Sequence, residues 1–475
     1  MTTLIRYKQF ALAVLALALL SSCATKTAYY HNLNGLVSQE RYLDAATLVE
    51  KSKQDVYGDN NALLFYLDKG MLLHLAGKYS ESNDSFERAK KLAQDYFTKS
   101  VTTESSTFLI NDNMRPYYGE DFERALISVF GSMNYVLIGN PTEALVEARQ
   151  VDHFLKTLKT NYGYDNKYKE DAFTRYLMGM LYENLNQTND AYISYRQALD
   201  AYSDGLKTYG IPVPRALITD ALRTARQLGF TDEIQEISRK WGTGTEKEMP
   251  AAYGELVVLD YNGFSAEKIE NYFEIAFGKA WAYVGMTSPQ GEARQQTEQA
   301  GAIARSIVFD EQIRLAFPKY VRVPYRMMRF NAADGSSDVQ GSSDVVNDIS
   351  TLAEQSLDDR ITRIRVRTIA RAAIKYALIQ QVSKKVEKQS GNAMIGWATK
   401  KALSAGSTAM EHADIRSWRS LPDKILMSRL ALSAGTHTVI IKGYDNNGIE
   451  VYRETITNIV IKPGKKSFAI VRTAL

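Results

Sequence analysis

Side chains that commonly perform catalysis form no recognisable set in this chain of 475 residues. None of its five histidines lies in an H-E-x-x-H pattern or beside the single cysteine, so a zinc site has no support. The chain also lacks a G-x-S-x-G elbow and a Walker phosphate loop. Adjacent acids such as Glu120-Asp121 and Asp358-Asp359 are typical of solvated or helix-capping groups. We therefore expect no metal, no cofactor and no enzymatic activity, although the sequence does not exclude two acids that the fold brings together.

The single cysteine, Cys23, has a different chemistry open to it. Arg6 and Lys8 give the N-terminus positive charge, and the apolar run from Phe10 to Leu20 follows. That run is shorter than the ~20 residues that span a bilayer, so it predicts a signal peptide rather than a membrane helix. The stretch Leu20-Ser21-Ser22-Cys23 resembles a bacterial lipobox, in which the thiol becomes a diacylglyceryl thioether. The alternative is an incidental cysteine.

Lipobox processing would remove residues 1–22 and leave Cys23 as an acylated N-terminus, followed by a tether over 23–32. Several acyl chains on one residue anchor a protein stably. The next residue is Ala24 rather than an aspartate, so the resemblance implies the outer membrane, with the protein facing the periplasm. Loss of two basic residues and no acid lowers the formal charge from +4 to +2. We expect membrane attachment through this lipid and no nucleic-acid binding.

The best candidate site is a block of basic, aromatic and proline residues near the C-terminus: Arg416, Trp418, Arg419 and Pro422. An arginine next to tryptophan could hold a carboxylate or a sugar ring through charge and stacking. Alternatively, the block is an inter-domain joint that fixes the penultimate helix to the C-terminal sheet. We prefer the joint.

A second candidate lies on a predicted helix over Ser356–Lys388, whose first half is rich in arginine. It is a basic face formed by Arg360, Arg363, Arg367 and Arg371, with Arg365 nearby. The face could bind phospholipid headgroups or an anionic polymer. The preferred interpretation is a solvated surface that pairs with acids such as Asp358 and Asp359.

Helical repeats are the elements that precede these candidates. Two segments place small, aromatic and alanine residues as a tetratricopeptide (TPR) repeat does, and weaker copies flank them. The first, Tyr66–Ala89, includes Gly70 and Phe86, and the second includes Gly179, Tyr182, Ala191 and Tyr195. Small residues let the paired helices approach, and the aromatic residues fill the groove between them. The alternative is ordinary packing in an irregular helical bundle.

After a linker rich in glycine and threonine, the pattern becomes mixed. Tyr253–Phe264 reads as a strand followed by a turn at Asn262-Gly263, and Ala316–Phe330 is extended because it carries two prolines. A second helix is expected over Ala393–His412. The final segment alternates with period two and predicts four antiparallel strands. Its proposed inward positions are Val439, Ile441, Ile449, Val451, Val460, Phe468 and Ile470.

In order along the chain, the blocks GELVVLDYNG, IRLAFPKY, IRVRTIARAAIKYAL and ADIRSWRSLP follow a TPR-like half and a lipobox. In this the chain resembles a little-studied family of TPR-containing bacterial outer-membrane lipoproteins. The genes of that family often lie beside those for penicillin-binding-protein activator and curli-secretion-channel-like lipoproteins. The resemblance implies an envelope location and gives no activity.

The predicted fold is mainly α, with an N-terminal TPR-like solenoid, a mixed α/β region and a small C-terminal antiparallel β module. The predicted function is an outer-membrane-anchored adaptor that binds envelope proteins, in peptidoglycan synthesis or in a secretion-channel assembly. A cell-wall enzyme with an unrecognised site and a structural subunit of a larger complex are the alternatives. The predicted divisions are signal peptide 1–22, tether 23–32, solenoid 33–241, mixed region 250–345, helical hairpin 346–415 and β-sandwich-like module 416–475.

Overall fold

The computed structural model describes residues 27–103, 114–162, 171–243, 250, 252–287, 312–410 and 412–475. Cys23, the proposed signal peptide and the start of the proposed tether lie outside these residues. No helix within the described ranges is long and apolar enough to cross a membrane.

The N-terminal half consists of antiparallel helical pairs, which together form the solenoid (27–241). Each pair has a first and a second helix joined by a short turn. The helices are α1 (27–38), α2 (Tyr42–Lys51), α3 (Ala62–Leu75), α4 (Tyr79–Thr103), α5 (Asp121–Ile138), α6 (Pro141–Tyr162), α7 (Ala172–Asn184), α8 (Thr188–Tyr209), α9 (Arg215–Leu228) and α10 (Thr231–Trp241).

Close packing of glycine against an aromatic ring identifies the repeats. A Cβ added to Gly70 in α3 would lie 2.5 Å from the ring of Phe86 in α4, and Gly179 in α7 meets Tyr195 in α8 in the same way. Only the absence of a side chain lets each first helix come this near to the second. Ala191 is fully buried on α8. The TPR-like architecture is therefore confirmed.

The β region contains two four-stranded sheets that pack face to face. The central sheet has the order β10-β1-β7-β6, and the outer sheet has the order β5-β4-β8-β9. An apolar layer that includes Leu256, Phe330, Leu430 and Ile441 fills the space between them. The strands are β1 (Tyr253–Asn262), β4 (Arg329–Asp334), β5 (Gln340–Ser342), β6 (Asp344–Asp348), β7 (Lys424–Ser433), β8 (Gly435–Tyr444), β9 (Glu450–Ile461) and β10 (Lys466–Thr473).

Strand pairing corrects the predicted division of the C-terminal half. The ranges 250–345 and 416–475 do not form separate modules, because β1 pairs with both β7 and β10, and β4 pairs with β8. The last four strands are divided between the two sheets. The chain passes from the central sheet to the outer sheet at Ala434, and β10 returns to run parallel to β1. Such pairings join distant segments, which local alternation does not reveal.

A smaller unit extends from the sandwich. It contains the two-stranded ribbon of β2 (Glu267–Ala276) and β3 (Gln312–Val321), and the helix α11 (Phe277–Met286). The long hairpin completes this unit, with α12 (Ile349–Ser390) and α13 (Ala393–Met410) packed against each other. Asp348 caps the start of α12 by accepting a bond from the Thr351 amide. This helix begins seven residues earlier than its arginine-rich pattern predicts.

Three further expectations need correction. The tether cannot extend to residue 32, because the described chain is already helical at residue 27 and Tyr29 is buried with its hydroxyl 3.0 Å from that of Tyr57. Ile449 and Val460, predicted to point inward, are more than half exposed. Ile449 lies at the turn between β8 and β9. Val460 alternates along β9 with the buried Ile459 and Ile461, so its side chain lies on the face of the outer sheet that meets solvent.

Candidate functional site

The central sheet covers the solenoid along one surface. The first helix of four successive pairs contacts it or the segment that leads into it. On α3, His74 stacks on Tyr261 of β1, and on α5 the ring of Phe130 also packs against Tyr261. On α7, Asn184 bonds the backbone of β10, and α9 contacts β7 through an ion pair. The solenoid core therefore continues into β1, which is buried on both faces.

A network of six charges joins α7 and α9 to the central sheet. Arg429 of β7 binds Asp220 of α9 with two nitrogens, at 2.5 and 3.0 Å, and also binds Glu255 of β1. Lys466 of β10 contacts Glu255 and lies 3.2 Å from Glu183 of α7. Arg223 pairs with both Glu183 and Asp220, which completes three acids and three cations. The network is thus formally neutral, and most of it is buried, although Arg223 has 28 % of its side chain exposed.

Opposite charges within this network determine the pKa values of Asp220, Glu183 and Arg429. Burial by itself would raise the pKa of Asp220, but the charges of Arg429, Lys466 and Arg223 hold it far below its usual range. Glu183 has a lowered pKa for the same reasons, with Lys466 as its strongest counter-charge. Burial would lower the pKa of Arg429, yet its two carboxylate partners keep it well above the ordinary value. Asp220, Glu183 and Arg429 therefore remain ionised near neutral pH, so these three groups offer no proton for acid catalysis.

The joint segment (412–423) fills the space between α3, α5 and the central sheet. Trp418 is only 1 % exposed and its ring packs edge-on against Phe86 and Phe130. The Trp418 amide donates to Glu123 Oε1 at 2.6 Å, and its indole Nε1 donates to Ser420. No face of the indole is open to a sugar or another ligand.

The other residues of the predicted block lie beside Trp418. Arg416 donates to the Arg115 carbonyl at 2.7 Å and pairs with Asp414. Arg419 pairs with Glu267 and lies over the ring of Tyr30, and Pro422 is buried. Their location corresponds to a joint, but not to the one predicted. The block holds the N-terminal solenoid, rather than the penultimate helix, against the sheet.

Two acids beneath the joint segment differ from those of the charged network. Asp68 accepts from Ser420 Oγ and Tyr57 OH, each at 2.8 Å, and Glu123 accepts from Tyr117 OH at 2.6 Å. Burial raises the pKa of Asp68 to about 6 and that of Glu123 to about 7. The bonds that they accept lower both values but do not outweigh desolvation. These perturbed acids are buried and engaged by the protein's own groups, so they have no path to a substrate.

The predicted basic face is not a single surface. Arg371 is buried, whereas Arg363 is exposed. Arg360 pairs with Glu120 of α5, and Lys268 of the ribbon pairs with the same carboxylate. The arginines of α12 thus point in different directions. Arg360, which was expected on a solvated face, therefore contacts the solenoid instead.

The acids of the charged network and of the joint were not predicted as site residues. Glu120 and Asp121 were expected to be solvated or capping, and both are buried. Glu120 does cap α5, in a reciprocal capping box with Glu123. The strand sequences did contain a signal for the charged network. Apolar residues alternate along the sheet face that meets the solenoid, and this alternation is interrupted by Glu255, Arg429 and Lys466. Among the described residues, no three His, Cys, Asp or Glu groups are placed to hold a metal ion.

Comparison with known proteins gives a limited result. No family model matches the chain, and no curated protein matches it. A solved structure with partial likeness contains the nearly identical TPR-like repeats of a protein assigned as a kinesin light chain from Podosopora anserina. It has 13 % identity and a TM-score of 0.30, and it covers 45 % of this chain and 92 % of that one. A single-residue variant of the same protein gives 12 % identity, a TM-score of 0.30, and coverages of 46 % and 92 %. The packing of glycine against an aromatic ring in two helical pairs carries the repeat assignment.

Proposed function

We propose that this protein is a lipid-anchored adaptor of the bacterial cell envelope, held by Cys23 to the inner face of the outer membrane. Its role is to hold other envelope proteins, in peptidoglycan synthesis or in a secretion-channel assembly. The location is supported by the lipobox-like stretch before Cys23 and by the resemblance to TPR-containing lipoproteins. Repeat solenoids generally supply surfaces for protein partners, which supports the adaptor role.

The observation that carries the proposal is the division between covered and exposed surfaces. The central sheet covers the first helices of four helical pairs, so this surface of the solenoid is already in contact with another part of the same chain. The ribbon, in contrast, has two ten-residue strands, and no third described strand pairs with either edge. Ile269, Phe273 and Val321 on the ribbon are each about two-fifths exposed or more. Such an edge with apolar side chains suits the addition of a partner strand.

Placement of a photo-crosslinking residue in cells would test the ribbon as the partner surface. We expect Phe273 replaced by the crosslinker to give a defined protein adduct. Ile193 on α8 is a matched control, because its exposure is nearly the same, 44 % against 46 % for Phe273. Adducts from neither position, or the same adducts from both, would contradict a specific partner on the ribbon.

Membrane anchoring has a separate test. Cys23→Ala removes the thiol that a diacylglyceryl group requires, so we expect an unprocessed or soluble product. Cys23→Ser is a near-isosteric companion that also lacks the thiol and should behave alike. If either variant floats with outer membranes at the native yield, the lipoprotein assignment is wrong.

The alternative of a larger structural assembly is favoured by the same open ribbon edge, since two copies could pair there. Sedimentation of the purified chain distinguishes self-assembly from binding of a different partner, because self-pairing makes the apparent molecular mass depend on protein concentration. The enzyme alternative predicts muropeptide release from purified sacculi. Steady release that survives repurification would favour the enzyme over the adaptor.

A further inference from the structure

The far end of the long hairpin carries exposed apolar side chains in an unusual concentration. Met394 is 75 % exposed and Trp397 is 61 % exposed, and Ile395 between them is also exposed. All three lie in the first turns of α13, just after the bend at Gly391. We call this end, residues 384–401, the hairpin tip. Large exposed apolar groups gathered in one place commonly mark a contact surface.

Lysines surround these apolar side chains. Within the hairpin tip the chain has five lysines and one acid, Glu387, which gives a formal charge of 5 − 1 = +4. Lys384, Lys385, Lys388 and Lys401 are exposed. The first three of them line an open cleft at the tip. The hairpin tip is therefore both apolar and strongly cationic.

The fold holds the tip away from the rest of the described chain. With 42 residues, α12 is about 63 Å long at 1.5 Å per residue. Its first half packs on the ribbon, α11 and the solenoid, and its last buried apolar residue among those described is Tyr376. Beyond that point α12 packs against α13. A Cβ at Gly396 would lie 2.7 Å from that of Glu387, so the two helices touch closely at the residue before Trp397.

We propose that the hairpin tip binds the surface of a bilayer containing anionic phospholipid. Trp397, Met394 and Ile395 would enter the boundary between headgroups and acyl chains, where tryptophan is favoured. The lysines would contact headgroup phosphates with their ammonium groups, and their alkyl stems would extend along the apolar surface. A second copy is a poor occupant, because two tips of charge +4 repel each other. This binding requires neither acylation of Cys23 nor a partner on the ribbon.

A local fluorescent probe tests the contact without interference from the N-terminal apolar run. The full chain carries Cys23→Ser, so that Met394→Cys becomes its single thiol and is labelled with an environment-sensitive dye. Vesicles contain phosphatidylcholine alone or with phosphatidylglycerol, with or without brominated acyl chains. We expect a blue shift and quenching by brominated lipid on the anionic vesicles. Met114→Cys, an exposed methionine of the solenoid half, is the matched control and should show neither.

Charge reversal separates the tip from general electrostatic attraction. Each lysine near an anionic surface contributes about a fivefold gain in partitioning, so replacement of Lys384, Lys385 and Lys388 by Glu should weaken the Met394 signal about a hundredfold or more. The control reverses three exposed lysines elsewhere, Lys78, Lys91 and Lys462, with the same change in net charge. Trp397→Ser should weaken binding at unchanged charge.

Three results would overturn the proposal. The first is a Met394 probe that remains in water on anionic vesicles. The second is an equal loss of signal in the tip and control charge variants, which would show that net charge alone drives adsorption. The third is a blue shift that rises with protein concentration or on addition of polyphosphate when no vesicles are present. That result would assign the tip to a second copy or to a soluble polyanion.

Discussion

Arg429→Leu is the substitution that most directly tests the contact between solenoid and sheet. Arg429 has 8 % of its side chain exposed and binds Asp220 and Glu255, so its removal leaves three buried acids facing two cations. Loss of one partner from a buried ionic network typically costs about 3–5 kcal/mol, since the remaining charges stay desolvated. We therefore expect the free energy of unfolding to fall by about that amount at pH 7.5, where the lowered pKa values of Asp220 and Glu183 keep both acids ionised.

The measurement is urea unfolding, followed by far-ultraviolet circular dichroism and by tryptophan fluorescence. Because Trp418 lies at the contact and the core runs through it, both signals should change together in the unsubstituted protein. Arg453→Leu is the matched control, an arginine of β9 that binds Glu450 with two nitrogens but is exposed. It should leave the midpoint nearly unchanged. If Arg429→Leu costs less than about 1 kcal/mol, or stabilises the protein, the network is not a determinant of the contact.

Three further predictions concern packing and protonation. Gly70→Ala places a methyl group against the Phe86 ring and should destabilise the protein by about 1–3 kcal/mol in urea unfolding. The control Gly35→Ala, with nothing within 4 Å of the added methyl group, should be neutral or stabilising. Equal effects of the two substitutions would mean that the proposed repeat packing is wrong. Ala191→Arg should cost several kcal/mol, because Ala191 is fully buried; a change below about 0.5 kcal/mol would contradict the register of this repeat. The pKa of Glu123 is about 7 in the folded protein and near 4.5 in the unfolded chain, so between these pH values the folded state holds the proton more tightly. The contribution of Glu123 to the free energy of unfolding is therefore fully present at low pH and is lost as the pH rises from about 4.5 to 7. We expect Glu123→Gln to gain stability relative to the unsubstituted protein between pH 5 and 7.5, by at most ~1.4 kcal/mol per pH unit in thermal or urea unfolding; a difference independent of pH would show that Glu123 ionises normally.

The repeats could be predicted because their packing is encoded locally. Gly70 and Phe86 are sixteen positions apart, on two helices joined by one short turn, and Gly179 and Tyr195 have the same spacing. A small residue on one helix and an aromatic residue on the next suffice to identify such a pair. Strand alternation likewise indicated β1 and the C-terminal strands.

The arrangement of the sheets could not be predicted, because it depends on distant contacts. Lys466 meets Glu255 across 211 positions, and Trp418 meets Glu123 across 295. No local pattern gives the partner of a buried charge, or shows that an arginine–tryptophan block will face the solenoid instead of a ligand. For the same reason, the periodicity of α12 suggested a common basic face, but contacts with α5 determine where Arg360 points.

The covered repeat surface restricts how this protein can act as an adaptor. A partner that bound the first helices would have to displace the central sheet and expose Asp220, Glu255 and Lys466, or replace every one of their ion pairs. It would also have to remove Trp418 from between Phe86 and Phe130. Surfaces that are already exposed require no such separation. We therefore expect charge reversal on the ribbon or the hairpin tip to alter binding, and substitutions at the solenoid contact to alter stability first.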